Sequence, residues 1–121
     1  MGRALPLGTG SIRIQCLHTP GHTPGSMCLY VDGGGVGDGR GLLISGDTLF
    51  VGSCGRMDLH DCDSDRMFHS LQGVLARLPD TTVVWPGHNY GGRSTTIGNE
   101  KRAGLLKTLT KTEWRTMHSN L

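Results

Sequence analysis

Polar and apolar residues alternate along 11–17 (Ser-Ile-Arg-Ile-Gln-Cys-Leu), the two-residue period of a strand with one buried face. Thr19-Pro20-Gly21 stops it. A second strand is predicted over 27–31 and a third over 42–45, and the intervening Gly-Gly-Gly-Val-Gly-Asp-Gly of 33–39 reads as the flexible tip of their hairpin. Over 63–78 the period changes. Met67, Leu71, Val74, Leu75 and Leu78 take the i, i+4, i+7, i+8, i+11 positions of an amphipathic helix, with Asp63 or Ser64 to cap it and Pro79 to end it. Burying each of these side chains contributes roughly 1.5 to 3 kcal/mol before entropy is counted. Residues 81–85 read as a further strand closed by Pro86-Gly87, and 99–121 as helical with Leu105, Leu106 and Leu109 apolar. The predicted order is β-β-β-α-β-α, an α+β chain without internal repeats.

Composition narrows the class. A length of 121 residues allows one domain, and 36% hydrophobic with 18% charged residues fits a folded soluble chain better than a disordered or membrane-spanning one. The formal charge of +2 is too small to draw the chain onto a phosphate backbone, so neither nucleic acid nor membrane is expected as a partner. The 20 glycines form neither GxGxxG nor a Gly-Lys pair, which leaves phosphate cradling unsupported. Cys16, Cys28, Cys54 and Cys62 lack a CxxC pairing, and residues 1–10 carry no apolar stretch of a secretory signal. Four reduced thiols, packed as small half-buried hydrophobes in a cytoplasmic protein, are the expectation.

Chemistry enters at the turns. His18 and His22 are four apart, but Pro20, Gly21, Pro24 and Gly25 forbid the helix that would align them, so His18 is expected to stay outside any site. His22, Asp47 and His88 are a different matter. Each follows a glycine in a turn beyond a predicted strand: Pro20-Gly21, Ser45-Gly46 and Pro86-Gly87. Strand-end loops display reactive groups on rigid scaffolds, and two imidazoles with one carboxylate suit zinc or iron.

Thr19-Pro20-Gly21-His22-Thr23-Pro24-Gly25-Ser26, Ser45-Gly46-Asp47-Thr48-Leu49-Phe50 and Pro86-Gly87-His88-Asn89-Tyr90 resemble, in order, three successive motifs of the metallo-β-lactamase superfamily. The resemblance implies that His22 binds a first metal, that Asp47 bridges two metals or binds a single one, and that His88 binds the second where one is present. Asp47 is thereby the candidate catalytic residue, and the implied cofactor is two zinc ions or a single iron. Gly52-Ser53-Cys54-Gly55-Arg56, and Tyr90 two residues past His88, are similar to the branch acting on glutathione-linked substrates, glyoxalase II and the persulfide dioxygenases. There Arg56 and Tyr90 would meet the glutathione part, Arg56 as a fork for a carboxylate.

Two departures shape what the resemblance implies. The family's HxHxDH motif is absent from these 121 residues, and His60, His69 and His118 sit in no such spacing. Residues 1–121 therefore resemble a single partial domain, the second half of a two-half αββα sandwich, with 1–10 an artificial or alternative start. Arg56-Met57-Asp58 and Tyr90-Gly91-Gly92 are closer to the persulfide dioxygenase side, and the helical domain of glyoxalase II has no room here. The expected function is metal-dependent hydrolysis of glutathione thioesters by a domain to which this chain contributes. The alternatives are iron-dependent oxidation of glutathione persulfide, and a non-catalytic interaction module. The family also admits a mitochondrial location. Besides a glutathione-conjugated small molecule, the expected partner is a second copy of the chain or a separate first-half segment. Either would cover the sheet face carrying Ile12, Ile14, Cys16, Leu43 and Val83 or Val84 from about 10 Å away.

Overall fold

The computed structural model describes residues 4–7, 12–32, 41–59 and 61–118. The three segments predicted as strands form β2 (Ile12–His18), β3 (Met27–Asp32) and β4 (Leu42–Gly46), each antiparallel to the one before it. The predicted hairpin tip at 33–39 lies outside the described residues. β5 (Val83–Pro86) runs parallel to β4, as it must after the helical crossover between them. Two short strands complete a six-stranded sheet: β1 (Ala4–Leu7), in the segment expected to be a mere start, pairs with β2, and β6 (Thr95–Thr96) pairs with β5. The α+β class stands as expected, with two strands and one helix more than the pattern gave.

The 63–78 helix is not uniform. Asp63 caps α1 (Ser64–His69) by accepting from the Arg66 amide, after which the chain widens into a π-helical turn at Ser70–Val74 and tightens into a 3-10 turn at Leu75–Arg77. The four-residue spacing of Met67, Leu71 and Leu75 explains this. In a regular α-helix each such step rotates the side chain by about 40°, and the wider turn keeps all three aimed at the sheet. All three are fully buried, against Leu17, Cys28, Leu43 and Val84.

The C-terminal third breaks where one helix was predicted. α2 (Ile97–Ala103) ends at Gly104, and α3 (Lys111–Met117) restarts behind a capping box in which Thr110 and Glu113 bond each other's backbone amides. Leu105, Leu106 and Leu109 therefore sit in the connection, where Leu106 still reaches the core. Trp114 anchors α3, its indole N–H donating to both oxygens of Ser64. Among the described residues no helix is long and apolar enough to cross a membrane.

All helices lie on one face. The other carries two apolar rows set by the register, Cys16–Leu29–Ile44–Trp85 and Ile14–Val31–Leu42–Val83. This corrects the expected membership. Leu43 and Val84 point into the helix-covered core, whereas Val83, the other valine offered for the open side, lies there with Leu42, Ile44 and Trp85. The burial of Ile12 lies outside what is described.

β2, β4 and β5 share one direction, since two antiparallel steps separate β2 from β4 and a parallel step joins β4 to β5. Their C-terminal ends consequently open at one edge of the molecule. His22, Asp47 and His88 each follow one of those ends.

Candidate functional site

His22 rides on the turn after β2. Gly21, just before it, packs flat on α1: a β-carbon there would sit 2.6 Å from the Met67 backbone, and the Gly21 carbonyl accepts from the Asp63 amide at 2.7 Å. The imidazole is oriented from behind. Its Nδ1 donates to the Arg56 carbonyl at 2.8 Å, which turns Nε2 toward Asp47. His18 takes no part, its Nε2 donating to the Pro24 carbonyl at 2.9 Å and bracing the turn.

Asp47 lies between the two histidines. One carboxylate oxygen is 3.6 Å from His22 Nε2 and the other 3.1 Å from His88 Nε2. Two donors bonded at about 2.0 to 2.1 Å to one tetrahedral ion stand about 3.3 Å apart, so both pairs have the separation of co-ligands. Because the histidines face different oxygens, they address two points, each with two donors. Among the described residues no three His, Cys, Asp or Glu side chains gather as a group able to hold an ion. The donor set thus fits a carboxylate-bridged pair of half-shells, and fits a complete single site poorly.

The three residues line a cavity of about 400 Å³ together with Phe50, Ser53, Cys54, Gly55, Arg56 and Tyr90. Tyr90 is exposed and stacks on His88 at 5.2 Å, while the Phe50 ring meets both edge-on at 5.7 and 5.4 Å. Gly55 passes directly against the Asp47 carbonyl and the His22 ring, where any side chain would force them apart.

Arg56 reaches the site differently from the expected fork. Its guanidinium is already bidentate on Asp58 at 2.8 and 3.0 Å, an exposed pair that holds the Asp58 carboxyl below and the Arg56 group above their usual ranges. Its backbone carbonyl is the part turned inward, accepting from His22 Nδ1 and, at 3.2 Å, from Cys62 Sγ. Cys62 also donates to the His22 carbonyl at 3.1 Å, stitching the turn to the 55–62 segment. Asp58 and Glu100, which anchors the loop tip at Gly52, are contributors the sequence did not single out. His69 and His118 lie away from the cavity, and His60 is outside the described residues.

All four cysteines are free, and Cys54 lines the cavity. Burial pushes its thiol up to about 12. At neutral pH only about one molecule in 10⁵ then carries the thiolate, the reactive form. Cys54 is expected to resist iodoacetamide at neutral pH over hours, read by peptide mass; labelling within minutes contradicts the buried placement.

Comparisons with known proteins extend the picture. Residues 9–88 match the sequence family described as the metallo-beta-lactamase superfamily. A probable hydroxyacylglutathione hydrolase, glo2, of Schizosaccharomyces pombe is 42% identical over 81 residues, covering 67% of this chain and 29% of its own length. The crystal structure of ETHE1 from Myxococcus xanthus superposes on 98% of the chain with a TM-score of 0.79 and 32% identity, over 49% of its own chain. TTHA1623, crystallised in a di-iron-bound form, is 40% identical and covers 81% of the chain and 43% of its own, with a TM-score of 0.62. The chain spans less than half the length of each of these proteins.

Proposed function

Because the chain belongs to the metallo-beta-lactamase superfamily, we propose that His22, Asp47 and His88 are its contribution to a two-metal hydrolytic centre acting on glutathione thioesters. The observation that carries this reading is the carboxylate of Asp47 facing a different imidazole with each oxygen. Divalent ions such as zinc or iron, if held by His22, Asp47 and His88, would supply Lewis-acid polarisation of a carbonyl and a water nucleophile at neutral pH. Asp47 is the residue both ion positions share, which makes it the catalytic residue of this half. The Arg56 carbonyl fixes the His22 tautomer and the Phe50 edge fixes the His88 plane, so neither imidazole has to reorient when a ligand arrives. Tyr90, exposed at the rim and stacked on His88, is placed to meet the thiol carrier of the substrate.

The glutathione carrier is supported by the likeness to the hydroxyacylglutathione hydrolase of S. pombe. Arg56 contributes to carrier binding only if a substrate carboxylate displaces Asp58. One observation favours the second reading, iron-dependent oxidation of glutathione persulfide. Arg56 and Asp58 form a closed pair in the segment whose sequence resembles the dioxygenase branch.

A graft separates them. The chain's matching residues are placed into the S. pombe relative, and the folded chimaera is given a 2-hydroxyacyl glutathione thioester with zinc, or glutathione persulfide with iron and oxygen. Thioester loss that disappears with His22→Ala is the expected result. Oxygen uptake instead supports the second reading. A folded chimaera that binds metal and does neither leaves this chain as a non-catalytic module.

A further inference from the structure

We propose that Glu100 is a positioning residue of the site: from α2 it holds the tip of the 48–55 hairpin, and through Phe50 it sets where His88 stands against Asp47. Glu100 is only 4% exposed. Its two carboxylate oxygens are spent on different tasks, Oε1 accepting from the Gly52 amide at 2.9 Å and Oε2 from the Thr95 hydroxyl at 2.9 Å. Buried carboxylates are retained where their bonds fix something, because an unpaired one is costly. Here the fixed object is the tip of the loop that lines the cavity.

That loop is a small hairpin. Leu49 bridges Cys54, and the Phe50 amide donates to the Ser53 carbonyl at 2.8 Å, which puts Val51 and Gly52 at the turn. Glu100 grips the turn on one side, while on the other the Val51 carbonyl lies against Gly91, just past Tyr90. Phe50, one residue before the turn, is thereby fixed in height, and its ring packs nearly at right angles against both His88 and Tyr90. Lengthening or cutting the Glu100 tether lets Phe50 move. The 3.1 Å between His88 and Asp47 then has no support from that side. The chain of contacts runs from α2 to the half-shell at His88, and leaves the His22 half to the Arg56 carbonyl.

The value of this device for catalysis rests on the function proposed above, but its test uses the chain without metal or substrate and so succeeds or fails independently. Glu100→Asp keeps the charge and withdraws the carboxylate from Gly52; Glu100→Gln keeps the reach and an acceptor, and the Thr95 hydroxyl can rotate to accept from its amide. With histidine, tyrosine and tryptophan side chains isotopically labelled, in an Ile44→Glu, Trp85→Glu background that keeps the open sheet face from associating, ring currents from Phe50 make the His88 and Tyr90 signals report on its position. Glu100→Asp is expected to shift both, Glu100→Gln to restore both, and Thr95→Val to lower stability while leaving them in place. His118 and the Trp114 indole, packed together on α3, are the reference that loss of general stability moves equally. Unshifted His88 and Tyr90 in Glu100→Asp, shifts in Glu100→Gln, or equal shifts at Trp114 overturn the proposal. Should Glu100→Asp not fold, hydrogen exchange at the wild-type Gly52 amide decides. Gly52 is exposed, so protection matching the sheet means the anchor is closed, and free exchange overturns it.

Discussion

Asp47→Asn is expected to abolish metal binding by this chain, whereas His22→Ala and His88→Ala each leave part of it. The reason lies in the geometry around one carboxylate. Its oxygens stand 3.6 and 3.1 Å from different imidazoles, so every ion held here by two protein donors takes one of them from Asp47. An asparagine keeps the shape but removes the charge and turns one oxygen into an N–H₂ donor, useless to a cation. Affinity in the unaltered chain should already be weak, since a tight zinc site closes with about four ligands and each point here has two. Residues that merely orient a ligand are worth about 10- to 100-fold in affinity, so losing the shared ligand should exceed about 100-fold. Competition of zinc and of ferrous iron against a chromogenic chelator gives the readout. Equal affinity in Asp47→Asn, or stoichiometric binding that His22→Ala alone destroys, would mean that the two-point description of the site is wrong.

What the sequence disclosed about that site follows from how the information is stored. Each ligand sits in a turn beyond a strand, and strand direction is a consequence of pairing order, so three Gly-containing turns in the right succession imply one shared edge. The alternation in β2 and the stripe over 63–78 are legible for the same reason, each being a period of two or of about four written locally. Other features are not local. The face on which Leu43 lies depends on its register with Tyr30 and Val84, and a strand apolar on both faces, as Leu42-Leu43-Ile44 is, carries no alternation to read. The break at Gly104 depends on the Glu100 side chain beside it, whose partners Gly52 and Thr95 come from elsewhere in the chain. Arg56 looked like a free fork because nothing in its pattern marks Asp58 as the carboxylate it holds.

The chain by itself is expected to associate through the open face of its sheet, and charges placed on that face should disperse it. Ile44 and Trp85 are each nearly half exposed and Met27 more so, in a continuous field with Leu29, Val31 and Leu42 that no helix covers among the described residues. A contiguous exposed apolar face of this kind marks a surface that another element covers. We propose as its proper occupant a second sheet, packed at about 10 Å and carrying the remaining metal donors. Two facts support that choice over a second copy: the relatives run to more than twice the matched length, and 98% of the chain superposes on only 49% of one of them. Lacking that occupant, copies of the chain should pair or aggregate at micromolar concentration. Ile44→Glu with Trp85→Glu should give a monomer with the same helix signature, because both side chains point away from the Met67–Leu71–Leu75 core and their loss leaves it packed. Light scattering with circular dichroism reads both quantities. A cooperative monomer in the unaltered chain removes the case for a missing sheet, and an unaltered assembly in the double variant moves the contact to another surface.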